Sequence, residues 1–498
     1  MPSQAIECVS SRQATPVSDP DPIIGSRVEL QLLTTLKCNL KCTYCSLGVG
    51  DVLGSQTELE YDVDQLAAFI DRHLRDKEIY VTFYGGEPTL NLDMMQAVMR
   101  RFPGFRYQLQ TNGTLLDSLP DWMLARLSNI LVSIDGGEQT TDGYRGRGIW
   151  RQVIKNLNQV RARVGGSITA RVTWGNPQTT FEEFDELVCA TEAFDYVYWQ
   201  FVADEMYGGN SVVERKQVLV RLIEKFFASP DTLYPLVPVM GIVRNKVLPT
   251  RAQELYAGLT QCRVSTHLIN VMPDGKIFPC PDMMYAPQMQ MGEIQGNWIK
   301  KSPLQPTSAM PCAHCEAFSW CRGNCMKNLY LAYVKNDERY RRNVVEPICE
   351  LVKFIGREID RHDPQAWFAR ASLPLRRQIT DAEVYEYVEI MPRSGCRAAG
   401  ALALDFRQET LADADRLGRD LHQFVVGDKF HGAFQRDLNR RHQPHRLVGT
   451  GGADVGELLA LDWIHHQIVV AAMHADDHAF VERVAVGGEH AATVLQLP

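Results

Sequence analysis

Short apolar runs and longer amphipathic segments alternate through the first two hundred residues of the chain. Six runs have the length of strands and are rich in β-branched and aromatic residues: Val28–Thr35, Ile79–Tyr84, Arg106–Asn112, Ile130–Asp135, Ile168–Trp174 and Tyr196–Val202. The segments between them that carry apolar residues at helical spacing are Val63–Leu74, Leu92–Arg101, Trp150–Val164 and Phe181–Thr191. This alternation predicts an α/β fold in which right-handed crossovers join parallel strands.

The unusual polar and glycine-rich segments of this region follow the predicted strands directly. A cysteine cluster follows the first run, and Gly85-Gly86-Glu87-Pro88 follows the second. Thr111-Asn112-Gly113 and Ser133-Ile134-Asp135-Gly136 end the third and fourth runs. Because the carboxyl ends of parallel strands share one edge, we expect these segments to form a single site there.

Beyond the first two hundred residues, the predicted structure and the composition of the chain change twice. Residues 206–261 are predicted to form a mainly helical bridge, with its clearest helix over Val212–Ala228, and residues 262–360 hold most of the later cysteines. Residues 361–498 carry ten of the 13 histidines and are predicted to be a separate mixed α/β domain. Its element candidates are strands Val384–Ile390 and Ile468–Met473 and a helix near Leu411–Val425. Residues 1–27 are predicted to be a mobile tail without a signal peptide.

Composition excludes several classes of function. The 498 residues are 45% hydrophobic and 22% charged, as in globular proteins, and the formal charge is −8. An acidic balance argues against nucleic acid and anionic membranes as partners. No apolar run approaches the roughly 20 residues of a membrane helix, so we expect a cytoplasmic protein.

Thirteen cysteines in such a chain need an explanation other than disulfides. Three lie at positions 38–45 and seven between 262 and 349. Cys8, Cys189 and Cys396 are isolated, and we interpret them as ordinary buried residues.

The first group places Cys38, Cys42 and Cys45 at positions i, i+4 and i+7. A zinc site would normally need four ligands, so an incomplete zinc knuckle is the alternative interpretation. Three thiolates on a short loop can instead hold three irons of a cubane and leave the fourth iron open to a small chelating molecule.

This segment, with Tyr44 before the third cysteine, resembles the CxxxCxxC signature of radical S-adenosylmethionine (SAM) enzymes. The resemblance implies a partial (β/α)6 TIM-like barrel over residues 28–205, a 4Fe-4S cluster, and SAM cleavage to a 5′-deoxyadenosyl radical. Gly85-Gly86-Glu87-Pro88 resembles the family's GGEP turn, whose backbone holds the methionine ammonium. By the same resemblance Tyr44, Asn112, Ser133 and Arg171 are expected contacts of the cofactor.

The second group has the spacing C-x12-G-x4-C, a gap, C-x2-C-x5-C-x3-C, and a final cysteine. It resembles the SPASM extension, which binds two auxiliary iron–sulfur clusters in peptide-modifying radical enzymes. Carried over by position, the distal cluster would use Cys312, Cys315, Cys321 and Cys349, and the nearer cluster would use Cys262, Cys280 and Cys325. Paired zinc sites are the alternative.

Some members of the family have an eighth cysteine where this chain has Tyr256. The nearer cluster therefore either has an open iron, takes another ligand, or is not an intact four-iron cluster. An open iron, available to a substrate thiolate or amide, is our hypothesis.

One departure separates the chain from the sulfatase-activating relatives. Their base is an Asp directly after the second cysteine of the block, whereas here Pro281 follows Cys280 and Asp282 comes one residue later. Asp282 is thus a candidate base or a solvated loop residue. We rank sulfatase activation, on a folded protein, below maturation of a ribosomally made precursor peptide.

The expected partners are a precursor peptide, an external electron donor of flavodoxin or ferredoxin type, and a separate leader-binding protein. Only 27 residues precede the first strand, which is too short for a peptide-recognition domain. We therefore expect a separate protein, or the C-terminal domain, to bind the leader. From a different class, the chain could be a non-catalytic iron–sulfur carrier, which intact Cys38, Cys42, Cys45 and GGEP argue against. His465, His466, His474 and His478 have metal-site residue types, but no complete ligand set is visible.

Overall fold

The structure, a computed structural model, describes residues 27–45, 59–175, 179–190, 193–202, 209–249, 264, 267–284, 286–304, 310–321, 323 and 325–381. The chain divides into two compact units, Met1–Leu404 and Asp405–Pro498. The second unit lies outside the described residues, and so do Tyr256, Cys262, the C-terminal histidines and the C-terminal element candidates.

The first unit contains ten strands and fourteen α-helices in its described part. The strands are β1 Arg27–Thr35, β2 Glu78–Gly85, β3 Arg106–Thr111, β4 Leu127–Ser133, β5 Ser167–Trp174, β6 Tyr196–Phe201, β7 Leu268–Val271, β8 Lys276–Phe278, β9 Gly292–Glu293 and β10 Trp298–Ile299. The helices are α1 Val63–His73, α2 Leu92–Arg101, α3 Asp121–Arg126, α4 Glu138–Arg145, α5 Ile149–Val160, α6 Phe181–Asp185, α7 Gly209–Phe227, α8 Val237–Val247, α9 Phe318–Cys321, α10 Met326–Leu329, α11 Glu338–Tyr340, α12 Glu346–Arg361, α13 Pro364–Arg370 and α14 Leu373–Asp381.

All ten strands form one sheet in the order β10-β9-β8-β7-β1-β2-β3-β4-β5-β6. The neighbouring strands in the stretch β7-β1-β2-β3-β4-β5-β6 pair in parallel. The remaining pairs, β7 with β8, β8 with β9 and β9 with β10, are antiparallel. The six predicted strands are therefore confirmed, as the core of a partial α/β barrel. The seventh parallel strand, β7, joins the second cysteine region to the edge of β1, which the sequence did not predict.

Local sequence explains where the helices start. Asp62 caps α1 by accepting hydrogen bonds from the N–H groups of Asp64 and Gln65, and the Gln65 side chain accepts one from the Asp62 N–H. The predicted helix over Phe181–Thr191 is shorter than expected, because α6 ends at Asp185 and a π-helical turn continues it from Glu186 to Ala190. The bridge helix begins three residues earlier than predicted, as α7.

The outer face of the sheet forms the main core with the surrounding helices, including Leu351 and Ile355 of α12. Trp367 of α13 and Leu375 of α14 belong to the same core. The first unit therefore continues beyond residue 361, where the sequence placed the start of a separate domain.

A smaller second core lies beneath the later cysteines and is rich in methionine. Its buried methionines are Met272, Met283, Met284, Met289, Met310 and Met326. Methionine adapts to irregular spaces, which suits a region built from short strands and single helical turns. No helix in the described part of the chain is long and apolar enough to span a membrane.

Candidate active site

Three loops meet at the carboxyl edge of the sheet, as the sequence predicted. The cysteine loop begins after β1, and its backbone is held by the turn that follows β2. The Gly86 N–H donates to the Thr35 carbonyl at 2.9 Å, and the Glu87 N–H donates to the Lys37 carbonyl at 2.8 Å. The loop after β3 joins them, because the Asn112 Nδ2 donates to the Asn39 Oδ1 at 2.8 Å.

The two glycines of the turn are required by this contact between loops. A Cβ on Gly85 would lie 2.2 Å from the Thr35 carbonyl oxygen, and its φ of +132° is a conformation that favours glycine. A Cβ on Gly86 would lie 2.2 Å from the Lys37 carbonyl oxygen. The pair therefore lets the turn approach the protein's own cysteine loop, a role the sequence did not predict.

Glu87 ties the second and third loops together from a fully buried position. Its Oε1 accepts from the Thr89 N–H and hydroxyl at 3.2 and 2.6 Å and from the Thr111 hydroxyl at 2.7 Å. Its Oε2 accepts from the Asn112 N–H at 2.7 Å. Burial raises the pKa of Glu87, and these hydrogen bonds act against that rise.

The three cysteines of the first loop are all half-buried and lie within electrostatic reach of one another. The Cys38 sulfur accepts from the Leu40 N–H at 3.4 Å and the Asn112 Nδ2 at 3.8 Å. Burial raises the pKa of Cys38 and of Cys42. A half-buried set of three thiols, supplied with N–H donors, fits the ligand set of an iron–sulfur cluster.

No group of three or more His, Cys, Asp or Glu side chains within the described ranges is arranged to hold a single metal ion. A cubane differs from a single ion because each thiolate binds a different iron.

Ser133, the last residue of β4, is the register partner of Arg171 in β5. Arg171 is buried, its Nη2 donates to the Gln200 Oε1 at 2.9 Å, and its guanidinium lies 4.8 Å from the Tyr198 ring centre. The structure thus brings these two predicted contacts together, and their roles toward the cofactor stay a prediction.

Tyr44 takes part in a buried polar network as well as in the cysteine loop. Its hydroxyl lies 2.9 and 3.1 Å from the two carboxylate oxygens of Asp135 and also contacts Arg145. The Arg145 Nε donates to Asp135 at 2.8 Å, and its Nη1 lies 4.0 Å from the Cys42 sulfur. Sequence reasoning gave neither Asp135 nor Arg145 a role. A signal existed, since a carboxylate lies two residues after the end of β4 and an arginine follows ten residues later in the last turn of a polar helix.

The later cysteines form two groups. Burial raises the pKa of Cys321 to about 12, and Cys349, Cys312 and Cys315 also act on it, so these four side chains are neighbours. They are the four assigned to a distal cluster. Their role as ligands stays a prediction.

Cys280 and Cys325 form the second group, each directly before a short helix. Burial, followed by Asp282 and Cys325, raises the pKa of Cys280 well above its usual value. The Asp282 side chain is 38% exposed, and its carboxylate lies 3.2 Å from the Nζ of Lys327, whose side chain is 13% exposed. Burial acts to lower the pKa of Lys327, but Asp282 and Cys325 raise it above the ordinary value.

The two cysteine regions come together around Tyr84, the residue before the glycine pair. Tyr84 packs against the methionine-rich core, which includes Cys280. Burial raises its pKa most strongly, followed by Asp282, while Arg171 acts in the opposite direction and Cys45 raises it further. Tyr84 therefore lies within electrostatic reach of both regions, which no sequence pattern indicated.

A three-cysteine loop at the carboxyl edge of a partial parallel barrel is the arrangement of enzymes that bind SAM at an iron–sulfur cluster. Residues 32–188 match the radical SAM superfamily. Residues 32–188 therefore carry a radical SAM domain, and the cofactors of that superfamily are SAM and a 4Fe-4S cluster.

Relatives extend the comparison beyond that domain. The chain is 23% identical over 323 residues to the mycofactocin maturase MftC of Mycolicibacterium smegmatis, covering 59% of this chain and 76% of the maturase. It is 34% identical over 128 residues to the Fe-coproporphyrin III synthase of Methanosarcina barkeri, covering 25% of this chain and spanning only 31% of the synthase.

Two solved structures are similar at low identity. A structure of anSMEcpe with bound AdoMet shares 17% identity at a TM-score of 0.45, covering 68% of this chain and 99% of that one. Streptococcus suis SuiB bound to the precursor peptide SuiA shares 16% identity at a TM-score of 0.46, covering 61% of this chain and 73% of that one.

Proposed function

We propose that the chain is a maturase that uses radical chemistry to modify a ribosomally made peptide. Cys38, Cys42 and Cys45 hold the cluster, and the rim formed by the GGEP turn, Ser133 and Arg171 binds SAM. When bound, the cluster and SAM supply a 5′-deoxyadenosyl radical that abstracts hydrogen from the substrate.

The observation that carries this proposal is the meeting of the two cysteine regions at Tyr84. Strand β7 pairs with β1 over four residues and so attaches the second region beside the strand that leads into the cysteine loop. A substrate at the rim would then face both regions. The match to the mycofactocin maturase supports the same function, because it extends over 323 residues, whereas the family match covers 157.

The second cysteine region is proposed to hold two auxiliary clusters. Cys312, Cys315, Cys321 and Cys349 would complete the distal one. Cys280 and Cys325, with Cys262 outside the described residues, would hold the nearer one with an open iron. A cluster held there would supply a site that binds the substrate or accepts the electron remaining after bond formation, and a cluster held by Cys38, Cys42 and Cys45 would need an external electron donor.

The first test is the release of 5′-deoxyadenosine. Anaerobically reconstituted protein, given dithionite and SAM, should release 5′-deoxyadenosine, which chromatography measures, and Cys42→Ala should reduce the release to background. Peptides encoded by the reading frames beside the gene should then show a mass change only with the wild-type enzyme. Release no greater than that of Cys42→Ala would reject the proposed function. Release without a mass change in any such peptide would reject the substrate class.

Asp282 is proposed as the base that removes a proton from the substrate. General bases contribute about 10²–10⁴-fold to rates. Asp282→Asn should therefore lower modified peptide by about 100-fold while 5′-deoxyadenosine release persists. Lys327→Met, which removes only the ion-pair partner, should lower product formation far less. Equal effects of the two substitutions would show that the ion pair is structural and that Asp282 is not the base.

A further inference from the structure

The segment around Cys42 is held by the last turn of α4. The Thr43 N–H donates to the Tyr144 carbonyl at 2.9 Å, and the rings of Tyr44 and Tyr144 pack with centroids 5.3 Å apart. Arg145, the last residue of α4, contacts the Tyr44 hydroxyl. Backbone, ring and charged contacts thus attach one helix end to the middle of the cysteine loop.

Asp135 is the centre of these contacts. Besides Tyr44 and Arg145, it accepts from the Thr173 N–H of β5 at 3.2 Å, and its own N–H donates to the Thr141 hydroxyl at 3.1 Å. The Asp135 side chain is fully buried and that of Arg145 is 5% exposed. A buried ion pair costs desolvation energy that is often not recovered in stability, so its presence beside the cysteines asks for another explanation.

The orientation of Arg145 supplies that explanation. Its Nε and Nη2 face Asp135, whereas Nη1 is directed to the Cys42 sulfur at 4.0 Å. Asp135 therefore fixes the plane of the guanidinium so that a positive edge faces one cluster ligand. Reduction adds negative charge to a cluster, and hydrogen bonds and charges at the sulfurs set its potential.

We propose that Arg145 is a positioning residue that raises the reduction potential of the cluster at Cys38, Cys42 and Cys45. Asp135 orients the guanidinium, and Tyr44 fastens the loop to the pair. This inference rests on the proposed function, because it requires a cluster at these three cysteines.

The decisive measurement is a redox titration of the reconstituted holoenzyme followed by electron paramagnetic resonance. The signal of the first cluster is identified by its loss in a Cys38→Ala/Cys42→Ala/Cys45→Ala variant. The test variant is the double substitution Asp135→Asn/Arg145→Gln, which removes both charges and leaves no lone buried ion. We expect the ratio of reduced to oxidised cluster at the wild-type midpoint potential to fall three- to tenfold, which corresponds to about 30–60 mV for one electron.

A control removes a second, partly buried ion pair that lies near the start of β6, away from the cysteine loop. Arg161 and Asp195 form an ion pair at the opposite edge, where Asp195 also accepts from the Ile168 N–H at 2.8 Å. Asp195→Asn/Arg161→Gln should leave the midpoint potential unchanged. A midpoint equal to wild type in the test variant, with the first cluster fully loaded, would overturn the proposal.

Arg145→Lys provides a second route if the double variant does not fold. The lysine ammonium keeps the positive charge but lacks the planar fork that directs one edge to Asp135 and another N–H to Cys42, so the midpoint should fall in the same direction by a smaller amount. An unchanged midpoint in this variant would likewise overturn the proposal. Absence of any cysteine-dependent signal in the wild-type protein would instead reject the proposed function, so the two failures are distinguishable.

Discussion

Replacing Gly86 with alanine is expected to leave the protein without its first iron–sulfur cluster. The new methyl carbon would lie 2.2 Å from the Lys37 carbonyl oxygen and 2.6 Å from its carbon, where no atom can be accommodated. Both obstacles are backbone atoms, so no side-chain rotation can relieve the clash, and either the GGEP turn or the cysteine loop must move. Displacement of the loop changes the spacing of the three thiols that the cluster needs.

Iron and acid-labile sulfide per chain measure this effect. In Gly86→Ala both should fall to the level of the Cys38→Ala/Cys42→Ala/Cys45→Ala variant, and 5′-deoxyadenosine release should disappear. Gly104→Ala is the matched control, because a Cβ on Gly104 has no neighbour within 4 Å and should leave iron content unchanged. Wild-type iron content in Gly86→Ala would mean that the contact between turn and loop does not shape the site.

Glu87→Ala is expected to lower the free energy of unfolding of the first unit by about 3–5 kcal/mol, because it removes the acceptor that four buried hydrogen bonds share. The substitution leaves four hydrogen-bond donors without their acceptor, those of Thr89, Thr111 and Asn112. Each buried donor left unsatisfied costs roughly 1–3 kcal/mol before the structure relaxes. The loss also frees Asn112, whose amide contacts Cys38 and Asn39.

Glu87→Gln is the graded comparison. The glutamine carbonyl oxygen can keep the three hydrogen bonds made at Oε1. Its NH₂ group would face the Asn112 N–H, which is also a donor, so that hydrogen bond is lost. Urea unfolding followed by tryptophan fluorescence should therefore order the midpoints as wild type, Gln, then Ala. Glu224→Ala, an exposed position on α7, should leave the midpoint unchanged. Equal midpoints for Glu87→Ala and wild type would contradict the buried network.

The strands of the barrel were predictable because each is a short apolar run between polar segments. Strand β4 shows the limit of that reasoning. It was expected over Ile130–Asp135 but covers Leu127–Ser133, since α3 ends at Arg126 directly before it and Asp135 leaves the sheet to pair with Arg145. Strand β7 was not predicted because its four residues, Leu-Ile-Asn-Val, are too few to show a period, and only its pairing with β1 defines it as part of the barrel.

The candidate site likewise contains residues that the sequence could predict and residues that it could not. Residues with a rigid local spacing, such as the three cysteines and the GGEP turn, were visible in the sequence. The network of Tyr44, Asp135 and Arg145 was not, because it joins side chains up to about a hundred positions apart and depends on how α4 packs against the cysteine loop. Lys327 was missed for the same reason, since its partner Asp282 comes from a different part of the second cysteine region.

The two neighbours of β1 have a consequence for how the protein is made. Strand β2 is synthesised soon after β1, whereas β7 lies about 240 residues downstream of it. At a translation rate of roughly 5–20 residues per second, this interval lasts about 10–50 s. During it, one edge of the strand that leads into the cysteine loop has no β7 to pair with and is open to incorrect pairing.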